Sequence, residues 1–331
     1  MRTARIKGEG GDYYHCMSRV IERKFVLGDA ERERFRRLLR ACEAFCGVRV
    51  LTYALLSNHF HLLVEVPERG EPEDAELARR VSALYGGARA RELAARLQAL
   101  RALGTEATER EASELRERYL YRMGDISEFM KTLKQRFTQR FNRARGRRGT
   151  LWEERFKSVL VESGEALATM AAYIDLNAVR AGLAKDPATY RYCGYGEAMG
   201  GSGRARAGLG TVLASVGQPS DWRRAQERYR EWLFVEGEST EARPGFSTEG
   251  VRAVLASGGK LSAGQALRCR VRYFSDGVAL GSRAFVESVF QAHRDYFGAR
   301  RKSGARPMRR VTFKGLYTAR DLRLAAVTPS N

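Results

Sequence analysis

Histidine and cysteine are both scarce in this 331-residue chain, with four and five copies respectively. The cysteines (Cys16, Cys42, Cys46, Cys193 and Cys269) are odd in number and scattered, and none forms a CxxC pair. That excludes a disulfide framework and a zinc knuckle, and leaves reduced, mostly buried thiols. No stretch approaches the ~20 apolar residues that cross a bilayer, and the opening MRTARIKGEGGDYYH lacks an apolar core of the signal-peptide kind. A lysine-rich amphipathic helix and a lipidation motif are missing too, which removes the usual routes to a membrane surface. The expectation is a cytoplasmic, nucleoid-associated protein with no membrane partner. Acidic residues are the last shortage: 39 against 59 Lys and Arg, a net charge of +20. An excess that large on a folded chain calls for a polyanionic partner, and nucleic acid is the usual one.

What is present is the composition of a folded protein. With 44% hydrophobic and 30% charged residues the chain is neither a disordered tail nor a fibre. At roughly 100 to 200 residues per domain it has room for about two domains. The stretch 12–20 (DYYHCMSRV) has strand composition, and Asp29 opens a helix through about Phe45, ended by Gly47. The stretches 48–56 and 59–66 then read as two strands joined across Ser57-Asn58, an antiparallel pair. Residues 71–123, rich in Ala, Arg, Glu and Leu, read as an inserted set of two or three helices. A basic amphipathic helix follows over 125–143, then a cationic loop and another strand. Ser163 is placed to cap a helix through about Val179, with Gly182 as its stop. Linker composition at 200–210 and at 237–245 sets off a C-terminal region. The expected division is therefore 1–199 with the 71–123 insertion, a connector at 200–245, and 246–331.

Two patterns bear on chemistry. His59 and His61 are i and i+2 on a strand, so both imidazoles share a face about 7 Å apart along the backbone. Paired imidazoles suit a divalent metal, although two solvent-facing strand histidines give the same pattern. Tyr173 precedes Asn177 by four residues on a helix, which sets a phenol beside a carboxamide. The plainer alternative is one of fourteen tyrosines on a helix that packs through Leu167, Met170 and Ile174. Around them, Lys131, Lys134, Arg136, Arg140, Arg143, Arg145, Arg147 and Arg148 interleave with Phe137, Phe141 and Trp152, with Arg155 just beyond. Cations with aromatics are the mixture that holds phosphates while bases stack; a solvated helix face over core aromatics has the same composition.

The ordered blocks YYHCMSR, LLSNHFHLLVEV, LKQRFTQRFNR with GTLWEERFKSVLVE, and YIDLNAVRAGL resemble the REP-associated tyrosine transposases, a branch of the HUH single-stranded-DNA transposase family. The blocks run from Tyr13 to Leu183. The HUH signature is matched by His59-Phe60-His61, the nucleophilic tyrosine by Tyr173, and the remaining metal ligand by Asn177. Ser57 and Ala178 stand where the family commonly has proline, and neither position supplies a ligand. The resemblance implies an α+β fold with a ferredoxin-like antiparallel sheet, and a divalent cofactor, Mg2+ or Mn2+. It also implies a single-stranded or hairpin DNA partner, cut through a 5′-phosphotyrosine on Tyr173. A homodimer is one assembly it allows, since some relatives exchange the tyrosine helix between copies. The C-terminal region resembles the extension of longer members, an all-α helix-turn-helix-like domain with a basic tail. There Ser282 caps a helix and would meet DNA together with Arg283. A helical cap with a basic tail is the plainer alternative. Two rival functions stay open at this point: a non-catalytic DNA-binding regulator on the same scaffold, and a metal-dependent hydrolase with no covalent step.

Overall fold

A computed structural model describes residues 6, 8, 11–218, 221–234, 272–308, 315–320 and 322. The chain opens β1 (Asp12–Arg19), α1 (Asp29–Cys46), β2 (Arg49–Leu55), β3 (His59–Val66). Helices α2 (Asp74–Tyr85), α3 (Gly87–Leu103) and α4 (Glu106–Leu120) are inserted before α5 (Ile126–Ala144) and β4 (Lys157–Val161). β3 pairs antiparallel with both β1 and β2, and β1 with β4. The order β2-β3-β1-β4, reached by a β-α-β-β-α-β path, is the ferredoxin-like sheet expected from the sequence. α1 shows how closely local signals were obeyed: it ends at Gly47, whose φ of 70° is open to glycine at little cost.

Both faces of this sheet are covered. On one, Phe35 of α1 packs on Phe60 with ring centroids 4.7 Å apart, and Phe137 of α5 closes on Phe35 at 5.0 Å. The other carries α6 (Glu165–Asp175), α8 (Gly194–Met199) and α9 (Gly203–Ala214). α9 comes so near β2 that a Cβ on Gly208 would stand 2.6 Å from the carbonyl oxygens of Val50 and Leu51. The face that carries the histidines is therefore covered rather than solvent-facing: His61 is 3% exposed and His59 partly buried.

The helix expected from Ser163 through Val179 is shorter and broken. α6 starts after Gly164 and ends at Asp175, Leu176 has ψ −5°, and a separate turn, α7 (Asn177–Arg180), follows. Asp175 anchors the break. Its Oδ1 accepts from Thr52 Oγ1 at 2.8 Å and from the backbone N–H of Tyr195 at 3.1 Å. Its Oδ2 accepts from the Tyr229 hydroxyl at 2.6 Å, on α10 (Trp222–Phe234). Three donors on one buried carboxylate bind sheet, tyrosine helix and connector together.

The C-terminal region departs from the all-α expectation. Its described residues form α11 (Arg272–Asp276), β5 (Ala279–Gly281), α12 (Arg283–Ala292), β6 (Arg306–Pro307) and β7 (Tyr317–Ala319). β5 pairs in parallel with β4, through Leu160 with Ala279 and Val161 with Leu280, and the sheet continues β4-β5-β7-β6. The region thus extends the first sheet, with strands too short for a period-2 pattern to reveal. Residues 235–271, 309–314, 321 and 323–331, which include Cys269, the 237–245 stretch and, of the basic tail, Arg309 and Arg310, lie outside the described residues. The other four cysteines are buried free thiols. No helix among the described residues is long and apolar enough to cross a membrane.

Candidate active site

β1 and β3 set the centre of the site. Met17 lies opposite His61 in the antiparallel register, so His15, two residues back on the same face, is its diagonal neighbour. The two rings stack at 5.1 Å with 15° between their planes, and His15 Nε2 is 2.8 Å from His61 Nδ1. His15 Nδ1 is 2.7 Å from the carbonyl oxygen of Phe274 on α11. A carbonyl only accepts, so His15 carries its proton on Nδ1. Burial holds the pKa of His15 down to about 4 and that of His61 well below its usual 6.5. Both rings are therefore neutral near pH 7. Neutral His15 then accepts at Nε2 from His61 Nδ1–H, and His61 presents its lone pair at Nε2.

His59 has the same tautomer fixed from another direction. Its Nδ1 is 2.6 Å from Asn58 Oδ1, and the Asn58 amide is oriented because Nδ2 donates to the Arg23 carbonyl at 2.9 Å. His59 donates from Nδ1 and, when neutral, presents its lone pair at Nε2. The two imidazoles of the HUH pattern, 5.2 Å apart between centroids, share one protonation pattern with their N–H groups spent on neighbours. That is the arrangement protein metal ligands adopt.

Tyr173 joins them from α6. Its ring is 6.3 Å from that of His61 and 6.5 Å from that of His15, edge-on to both. The side chain is 2% exposed. Phe274 packs on it at 4.8 Å, so the C-terminal segment covers part of the phenol ring. Arg180, one turn beyond Asn177, lies 4.0 Å over the Tyr173 ring and donates to the Tyr173 carbonyl oxygen. Asn177 is buried, and its Nδ2 donates to the same carbonyl at 3.3 Å. Its carboxamide oxygen is accordingly the atom that an ion would meet. Among the described residues no group of three or more His, Cys, Asp or Glu side chains is placed to hold a metal. His15 is no third ligand, since both of its ring nitrogens are engaged. The donor set these residues would offer a cation is two imidazole nitrogens and one amide oxygen. It suits borderline and later transition ions in affinity terms, and Mg2+ or Mn2+ for the oxygen-rich chemistry of a phosphate.

The basic tract divides. Arg140, Arg143, Arg148 and Arg155 are exposed. Arg136 instead lies 4.4 Å over the Tyr85 ring, Arg145 donates to Glu31 at 2.7 Å, and Arg147 to the Thr150 carbonyl at 2.9 Å. Trp152, expected to meet DNA, is 6% exposed and packs among Phe35, Phe60 and Phe137. Its indole N–H is satisfied by Thr138 Oγ1 at 2.9 Å. Ser282 does cap α12, accepting from Phe285 N at 3.2 Å, but its own N–H and hydroxyl both donate to Glu162. Arg283 beside it is exposed. Sequence reasoning missed Arg180 and left His15 aside. The pairing of the YYH strand with the HUH strand was the signal for His15.

Residues 11–98 match the family model described as "Transposase IS200 like", which bears out the resemblance drawn from the motifs. A solved structure described as a REP-associated tyrosine transposase bound to a REP hairpin aligns with a TM-score of 0.39 at 14% identity. The alignment covers 62% of this chain and 90% of that one. No curated protein matches the sequence significantly.

Proposed function

We propose that this chain, similar over residues 11–98 to the IS200-like transposases, cuts and rejoins single-stranded hairpin DNA through a covalent bond to Tyr173. The observation that carries the reading is the meeting of the Tyr173 ring with His61, 6.3 Å apart, although the two residues are more than a hundred positions apart in the chain. A late helix and an early strand converge on one buried point, and the imidazole there has its proton committed to the other side.

His59 and His61 through Nε2, and Asn177 through its carboxamide oxygen, would hold the divalent ion. When bound, such an ion supplies positive charge to the non-bridging oxygens of a scissile phosphate. Tyr173 contributes the nucleophile. Its phenolic oxygen forms the new bond to phosphorus as the bond to the departing 3′ oxygen breaks. That oxygen leaves as a 3′-hydroxyl, taking up the proton the phenol gives up. One phosphodiester becomes one phosphotyrosine, so the bond energy is kept and rejoining needs no nucleotide cofactor. Arg180 holds the nucleophile's backbone and ring, and keeps a cation close to the charge that develops. Asp175 fixes the end of α6 two residues beyond the phenol, so the tyrosine helix enters at a set angle.

The test is to incubate the full chain with labelled hairpin oligonucleotide and Mn2+, then look for a band that survives denaturant. Tyr173→Phe is expected to abolish the band and to keep hairpin binding. An adduct formed by that variant assigns the nucleophile elsewhere. Cleavage that continues without any adduct favours the hydrolase, and binding with no cleavage by the wild type favours the regulator.

A further inference from the structure

The loop between β1 and α1 holds a feature the proposed chemistry leaves unused. Phe25 is 81% exposed, more than any other large apolar side chain among the described residues. A single apolar residue in water is ordinary; the backbone that holds this one is not. Glu22 and Arg23 have φ of 55° and 56°, the only non-glycine residues in the left-handed region among those described. Side chains with a Cβ resist that conformation, and it persists only where the surroundings over-determine it.

Here they do so from two sides. Arg23 N donates to the Val20 carbonyl at 3.0 Å and Lys24 N to that of Ile21 at 3.3 Å. The Arg23 carbonyl accepts from Asn58 Nδ2, and Leu27 N donates to the Ser57 carbonyl at 3.0 Å. Phe25 is thus carried between two anchors on Ser57-Asn58, immediately before His59. On the other flank Ile21 N donates to the Leu151 carbonyl at 3.0 Å and Val20 bridges to Trp152. That places the arginine loop next door: Arg147 acts electrostatically on Glu22. The one acid in the turn is neutralised locally, with Lys24 Nζ 2.5 Å from the Glu22 carboxylate.

We infer that Phe25 is a stacking platform for an unpaired base of the DNA strand that leads to Tyr173. The inference rests on the DNA-processing reading and extends it to a base-binding position. An aromatic face open to solvent on an anchored backbone, with exposed Arg23 two residues before it for a phosphate, fits a single-stranded nucleotide. The flat face stacks on any base and loses little conformational freedom in doing so. Double-stranded DNA offers no open base face to it, so the platform belongs to the unpaired foot of a hairpin and not to its stem.

The test uses the full chain and a GC-rich DNA hairpin with a short adenine-rich unpaired tail, 2-aminopurine replacing each tail base in turn. Wild type is expected to quench one tail position. Phe25→Ala is expected to lose that quench and to bind the tailed hairpin roughly tenfold more weakly. The same hairpin without its tail should bind both proteins alike, and Phe25→Trp should restore quench and affinity. At 81% exposure the alanine leaves the fold intact. If wild type binds the tailed hairpin and Phe25→Ala quenches and binds identically, the platform is refuted while the DNA-processing reading stands. If wild type binds neither hairpin, both fall. A change in sedimentation mass with unaltered DNA binding would make Phe25 a self-association contact and likewise overturn the platform.

Discussion

Nε2 of His15 and Nδ1 of His61 lie 2.8 Å apart on neighbouring strands, two neutral rings with one proton between them. Because the Phe274 carbonyl accepts the single N–H of His15, at Nδ1, a backbone oxygen from the C-terminal segment decides which nitrogen of His61 presents its lone pair.

Replacing His15 should therefore weaken metal binding without touching a ligand. His15→Phe removes the acceptor for His61 Nδ1–H, and loss of such a partner typically costs about 10- to 100-fold in metal affinity. Calorimetric titration with Mn2+ in the absence of DNA reads this directly. An unchanged affinity would show that the imidazole pair does not depend on its neighbour.

Acid should destabilise the metal-free protein through the same residues. The unfolded chain takes up a proton on His15 below its ordinary 6.5, whereas the folded chain resists until about 4. The unfolded state thus binds more protons across that window, and stability falls as pH drops through it. His15 alone should remove about 2 kcal/mol by pH 5 and about 3 kcal/mol once below pH 4. Asp175 works in the opposite direction, since burial raises it to about 6 from 3.8. Denaturant unfolding of wild type and His15→Gln at pH 7 and pH 5 isolates the histidine, and equal losses in both proteins would contradict it.

Asp175→Ala should loosen both ends of its network. The Tyr229 and Thr52 hydroxyls and the Tyr195 amide would lose their buried acceptor. At about 1–3 kcal/mol for a buried donor left unmade, a total loss of about 3 kcal/mol or more is expected. Guanidinium unfolding measures it, and a midpoint within error of wild type would mean that α10 is held by other contacts.

Salt dependence should sort the arginines. Removing exposed Arg140, Arg143, Arg148 or Arg155 one at a time should lower the slope of log affinity against log salt by up to about 1 each, while Arg136→Ala, taken from a side chain stacked on Tyr85, should leave it alone. A slope that falls equally for Arg136→Ala would put that side chain on DNA after all.

Much of this was legible in the residues, and the reasons are local. Gly47, Asp125 and Ser282 announce helix ends by conformations and hydrogen bonds that involve only their own neighbours. His59 and His61 share a face because strand geometry demands it. The misreadings are all non-local. Trp152 looks the same in sequence whether its indole meets a base or Thr138, and only the packing of α1 and α5 decides. The break at Leu176 follows from Asp175 being captured by residues on three other elements. β5 has three residues, and it is a strand because β4 offers it a partner.

That last pairing has a practical bearing on where the protein can be cut. Leu160 N and Glu162 N donate to the carbonyls of Val278 and Leu280, so the chain's far end supplies the border for a strand laid down long before it. A truncation ending ahead of Arg272 would strip that border and leave a row of unclaimed amides and carbonyls along Lys157–Val161. Such a raw margin invites zippering between molecules, and the shortened protein should clump where the whole one stays dispersed.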